Sequence, residues 1–185
     1  MRRFFGVAAG AALALSVVAV AGAHPHKAKH FSAKLSGNQE VPSVTTDAKG
    51  VALFGVRRKD DPPSIHYRLA VRNIDKVTAA HIHCAKRGEN GPIVVDLYPA
   101  TGAEVSTTAT SFSVRGEATT VRAGTMCKLR DGSSVTVNTL ADVVRLMRRG
   151  LTYANVHTMD FPGGEVRGQI RHGGGHGHFD HHGKR

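Results

Sequence analysis

From Phe31 onward the chain alternates apolar and polar side chains with a period of two. Phe31, Ala33 and Leu35 are separated by Ser32, Lys34 and Ser36, and Ile65, Tyr67, Leu69 and Val71 by His66, Arg68, Ala70 and Arg72. Successive strand side chains point to opposite faces, so this pattern predicts half-buried antiparallel strands. Further strands are predicted at Val51–Val56, Ala79–Cys84, Ile93–Tyr98, Phe112–Ala118, Thr152–His157 and Glu165–Ile170. Lys49-Gly50, Asp60-Asp61-Pro62-Pro63, Gly88–Pro92 and Pro162-Gly163-Gly164 punctuate them as turns. Many short strands at this spacing predict an all-β sandwich or barrel.

One segment leaves the two-residue period. Between Asn138 and Gly150, Leu140, Val143, Val144 and Met147 recur at helical spacing. Thr139 with Asp142 has the form of a capping arrangement, Arg145, Arg148 and Arg149 suit the C-terminal end, and Gly150 can stop the helix. A single short helix crossing between strands follows, with its basic face read as solvated surface.

The first 23 residues change the picture of where the chain works. Arg2 and Arg3, an apolar run to Val20 and the small-residue sequence Ala21-Gly22-Ala23 read as a secretory signal cleaved after Ala23 rather than as a membrane anchor. The expected organisation is a signal peptide at 1–23, a flexible N-terminal segment at 24–29, one folded domain at 30–171 and a disordered Gly/His-rich tail at 172–185. The formal charge of +11 falls to +9 without Arg2 and Arg3, so anionic polymers, acidic wall components or a membrane surface are the expected nonspecific neighbours, and an extracellular protein or an anionic polymer the expected partner. Specific nucleic-acid binding is disfavoured, because the basic residues are scattered, aromatic residues are few and Trp is absent. Gly-X-Ser-X-Gly is absent too, and no other nucleophile motif emerges.

Cys84 and Cys127 are the only cysteines. In an exported chain they are expected to form a disulfide, closing a loop of about 40 residues worth roughly 3–4 kcal/mol in the chain-entropy model. The rival reading makes Cys84 a metal ligand beside His83, but strand alternation turns it away from that ring.

The chemistry centres on Ala79-Ala80-His81-Ile82-His83 and Asn155-Val156-His157-Thr158. His81 and His83 share one face of a strand and Ile82 takes the other. A His-X-His pair with a third imidazole from a separate segment is a recurrent way to hold copper or zinc, and His157 is the candidate third ligand. The competing reading is structural: the three rings hydrogen-bond backbone carbonyls or carboxylates such as Glu40 and Glu165. Glu40 and Arg167 are also candidates for an ion pair. The tail histidines His172, His176, His178, His181 and His182, with His24, His26 and His30, offer weak sites for nickel, copper or zinc, or simply a solvated tail.

Several motifs in order carry a family resemblance. They are Leu35-Ser36-Gly37-Asn38-Gln39-Glu40-Val41-Pro42 with Thr46 and Gly50, Ala79 to His83 with Asn90-Gly91-Pro92, and Tyr153 to Thr158 with Phe161-Pro162-Gly163-Gly164-Glu165-Val166-Arg167-Gly168-Gln169. From about Phe31 to Arg171 the chain resembles the CHRD domain, the module named for chordin and found singly in many secreted microbial proteins. The resemblance implies an antiparallel, immunoglobulin-like β-sandwich of Greek-key type, with Glu40, Pro42, Asn155, Gly164, Glu165, Arg167 and Gly168 as family-motif positions. It implies no reaction. Two functional readings remain: a secreted, non-enzymatic binding or structural module, or a copper- or zinc-binding sandwich, open to redox chemistry, built on His81, His83 and His157. The fold-level likeness to Cu/Zn superoxide dismutase stops at the His-X-His pair, since no constellation for two metals is evident.

Overall fold

The computed structural model describes residues 29–57 and 63–173. The expected signal segment, residues 24–28, the turn residues Asp60 to Pro62 and the tail from 174 lie outside them. In chain order the strands are β1 (Lys29–Ser36), β2 (Lys49–Arg57), β3 (Ser64–Arg72), β4 (Val77–Cys84), β5 (Ile93–Tyr98), β6 (Glu104–Thr108), β7 (Ser111–Ala118), β8 (Thr125–Lys128), β9 (Ser134–Val137), β10 (Thr152–Thr158), β11 (Val166–Gln169) and β12 (Arg171–His172). One helix, α1 (Leu140–Arg148), lies between β9 and β10. Thr139 accepts from the Asp142 amide while Asp142 accepts from the Thr139 amide, a capping box that fixes where α1 begins.

The main sheet runs β5-β4-β10-β11-β1-β2-β3-β7-β6, with β12 alongside β1, and β8 and β9 form a separate hairpin. Its strand pairs are antiparallel. The sheet curls on itself as a sandwich. Tyr67 on β3 donates its hydroxyl to the Leu97 carbonyl on β5 at 2.8 Å, and the Tyr98 and Phe112 rings meet edge to face at 5.1 Å. Between the layers lie the apolar halves of the alternating strands, among them Phe31, Leu35, Phe54, Ile65, Leu69, Ile82, Leu97 and Phe112. Leu140, Val143 and Met147 of α1 join the same core. Burial of these side chains at about 25 cal/mol per Å² is the main driving force for closing the layers.

Cys84 faces that core and is bonded to Cys127, with Cα atoms 5.7 Å apart. The β8–β9 hairpin is thereby tied to the end of β4, and Cys84 is removed as a metal ligand. Two residues expected in the flexible ends are instead in strands. Lys29 pairs opposite Val56, and His172 lies opposite Phe31 with ring centroids 4.6 Å apart. The main-chain pairing and the ring contact outweigh their polar composition.

The outer face of the sheet is not uniformly solvated. Across β5, β4, β10, β11 and β1, the registers set Asp96 beside His81, His81 beside Asn155, Asn155 beside Arg167 and Arg167 beside Ser36. The loops around residues 37–47, 86–92 and 159–165 fold over the middle of this row and bury His81, Asn155 and Arg167, while Asp96 and Ser36 at its ends stay partly exposed. Gly168 permits the close approach of β11 to β1, since a Cβ there would stand 2.1 Å from the Lys34 carbonyl oxygen.

Candidate metal centre

His81, His83 and His157 all point to that covered outer face, as alternation on β4 and β10 requires. They are 9%, 8% and 9% exposed, so each ring is nearly enclosed. One ligand nitrogen from each lies within 4.8 Å of the other two.

The hydrogen bonds fix the tautomers. A carbonyl only accepts, so His83 Nδ1–H donates to the Gly91 oxygen at 2.9 Å and His157 Nδ1–H to the Pro162 oxygen at 3.0 Å. Both rings therefore turn a bare Nε2 inward. His83 Nε2 is buried without a hydrogen-bond partner. His157 Nε2 faces His81 Nδ1 at 3.2 Å, so in the absence of an ion His81 carries its proton on Nδ1 and donates it. The other His81 nitrogen, Nε2, stands 3.5 Å from Asp96 Oδ1. Asp96 is held by Arg122, whose Nη2 and Nε reach its two oxygens at 2.7 and 3.2 Å.

Burial keeps the rings neutral. It is the main cause that lowers His81 to about 4, helped by His157 and His83 and opposed by Asp96. His83 is likewise lowered to about 4 by burial, against the Gly91 hydrogen bond. His157 is lowered by burial, against the Pro162 hydrogen bond. Neutral imidazole is the form that binds metal.

A second layer stiffens the trio. The Tyr153 ring stacks on His83 at 4.8 Å and 9° between planes, and the Arg167 guanidinium sits 4.7 Å from the Tyr153 centroid. Arg167 also donates to the Gln39 carbonyl at 2.5 Å and Asn90 Oδ1 at 2.9 Å, pinning two covering loops. Its Nε is 3.6 Å from Glu40 Oε2, both side chains being buried. Burial pushes the Glu40 carboxyl up to about 7, against the pull of Arg167.

Glu40 and Glu165 are not acceptors for the histidines, which corrects one expectation. Glu165 takes hydrogen bonds from Thr46 at 2.7 Å and Thr158 at 2.9 Å, and so closes the loop that follows β10. Gly164, at φ 122°, follows the same loop round, and a Cβ there would stand 2.6 Å from Asn155 Oδ1. Pro42 sits in the loop after β1, where Asn90 Nδ2 donates to the neighbouring Val41 carbonyl at 2.8 Å. Sequence reasoning missed Asp96. Its signal was a lone carboxylate in the apolar run Ile93–Tyr98, at outward parity.

A model of one protein family, the CHRD domain, matches residues 31–170. Comparison with curated proteins and with solved structures finds no match.

Proposed function

The chain belongs to the CHRD domain family, and from that premise we propose that it acts outside the cell as a non-enzymatic module that holds one copper or zinc ion on His81, His83 and His157. The observation that carries the reading is the set of inward nitrogens, two of them aimed by ring N–H bonds to backbone carbonyls. Such outer partners are what metal-ligating histidines ordinarily have. The donor set is apt for either metal, three imidazole nitrogens with a position left for water or a partner group.

Around a tetrahedral ion at about 2.0–2.1 Å, ligand nitrogens stand about 3.3–3.4 Å apart. The His81–His157 pair is already at 3.2 Å. The ligand nitrogens lie within 4.8 Å of one another, so an ion would have to draw them in by about an ångström or more. His81 would then shift its proton from Nδ1 to Nε2, toward Asp96, freeing Nδ1 for the ion. Asp96 is thus assigned the outer-shell role that Gly91 and Pro162 fill for the other two rings.

The contact between His81 and His157 favours a second reading, in which the three rings form a metal-free hydrogen-bonded clamp on the covering loops. Metal content separates the two. The full chain, with His24, His26, His176, His178, His181 and His182 replaced by Ser, is loaded with copper or zinc and dialysed. One retained ion per chain, lost in His83→Ala, supports the metal centre. No retained ion, or equal retention in His83→Ala, leaves the clamp.

A further inference from the structure

Beyond the histidines the same outer face carries a different chemistry. A groove of about 650 Å³ opens beside the buried row, lined by Lys34, Arg87 and Arg171 with Ser32, Ser36 and Gln169 among its polar walls, and no carboxylate lines it. Glu89, two residues after Arg87 in the loop, is engaged by Lys86 at 2.9 Å. The basic character continues across the sheet: Lys49 stands opposite Ser36, and Arg72 opposite Lys49, all exposed or partly so.

We propose that this groove binds an acidic polysaccharide bearing carboxylate groups. The guanidinium forks of Arg87 and Arg171 suit carboxylates, and Lys34 adds a point charge to the same lining. Hydroxyl and amide side chains alternating with the cations match sugar hydroxyls. A nucleic acid fits less well, because the one ring in the lining, His172, packs against Phe31 with the ring planes tilted by 35° and is the lining's sole base platform. A membrane surface fits less well, because the lining has no apolar side chain to insert. The chain's own tail from 174 to 185 has one acid, Asp180, against Lys184 and Arg185, so it does not complement the groove. A second copy, which carries the same strongly basic charge, is repelled.

The test is titration of the full chain with polygalacturonate fragments, neutral dextran, duplex DNA and phosphatidylglycerol vesicles. Wild type is compared with Lys34→Glu/Arg171→Glu, with the milder Lys34→Gln/Arg171→Gln, and with a charge-matched control, Lys128→Glu/Arg130→Glu, on and beside the β8–β9 hairpin. The expected result is polygalacturonate binding that weakens with salt and falls about tenfold in the groove charge reversal, with a smaller loss in the Gln pair. The control loses no more than about twofold, and dextran does not bind. Equal losses in groove and control variants would reduce the effect to bulk charge and overturn the proposal. So would groove-dependent binding that is tighter to DNA or to vesicles.

Discussion

His81 and His157, on strands paired 76 residues apart in sequence, face each other nitrogen to nitrogen at 3.2 Å. The His157 proton is committed to Pro162, so only His81 can donate across the contact. An ion entering there must displace that proton, and among the described residues the acceptor beside the far side of His81 is Asp96. The pair is therefore where metal binding and the hydrogen-bonded, metal-free state compete.

Asp96→Asn removes the carboxylate that would accept the hydrogen bond from His81 Nε2–H once the proton has moved there. Copper or zinc affinity, measured by competition with a chromophoric chelator, is expected to fall about 10- to 100-fold. Asp96 is partly exposed, so the melting temperature of the metal-free protein should barely change. Unchanged affinity would remove Asp96 from the site.

The metal-free protein should lose stability in acid. His81 and His83 sit at about 4 when folded and near 6.5 when unfolded, so the unfolded chain takes up protons first as pH falls. Their contribution is intact above about pH 6.5 and lost between 6.5 and 4, up to about 3 kcal/mol for each ring. Urea unfolding across that range measures it, and His83→Gln should flatten the curve.

Glu40 works in the opposite direction. Its folded value of about 7 lies above the ordinary 4.5, so its contribution is present at low pH and is lost as pH rises through 7. Glu40→Gln cannot titrate, and its stability relative to wild type should improve by up to about 3 kcal/mol between pH 4.5 and 8. Parallel pH curves for the two proteins would show that Glu40 is charged throughout.

Gly168→Ala forces a Cβ against the Lys34 carbonyl. Because the obstacle is backbone, the β1–β11 junction has to separate. A loss of at least about 2 kcal/mol is expected by thermal or urea unfolding. A neutral outcome would mean the two strands part without cost.

The alternation from Phe31 to Arg72 made the strands and the sandwich legible, because a half-buried strand writes its burial into the sequence. The same rule set His81 and His83 on one face, and the Thr139–Asp142 spacing marked the start of α1. The strands β6, β8 and β9 were not legible: each is only four or five residues long, Val105 is the one apolar residue of β6, and the pairs Met126–Cys127 in β8 and Val135/Val137 in β9 are too short to establish a period. Their pairing comes from tertiary neighbours rather than from their own pattern. The burial of Arg167 was equally hidden, since it depends on two loops, at Gln39 and Asn90, that are distant in sequence. Nothing local distinguishes that arginine from an exposed one.

Anomalous diffraction from crystals of the copper- or zinc-loaded chain tests the central claim most directly. The account predicts one strong peak bonded to His81 Nδ1, His83 Nε2 and His157 Nε2 at about 2.0–2.1 Å, with His81 Nε2 turned to Asp96. A peak confined to other residues, or the His81–His157 hydrogen bond persisting in loaded crystals with no peak beside it, would contradict it.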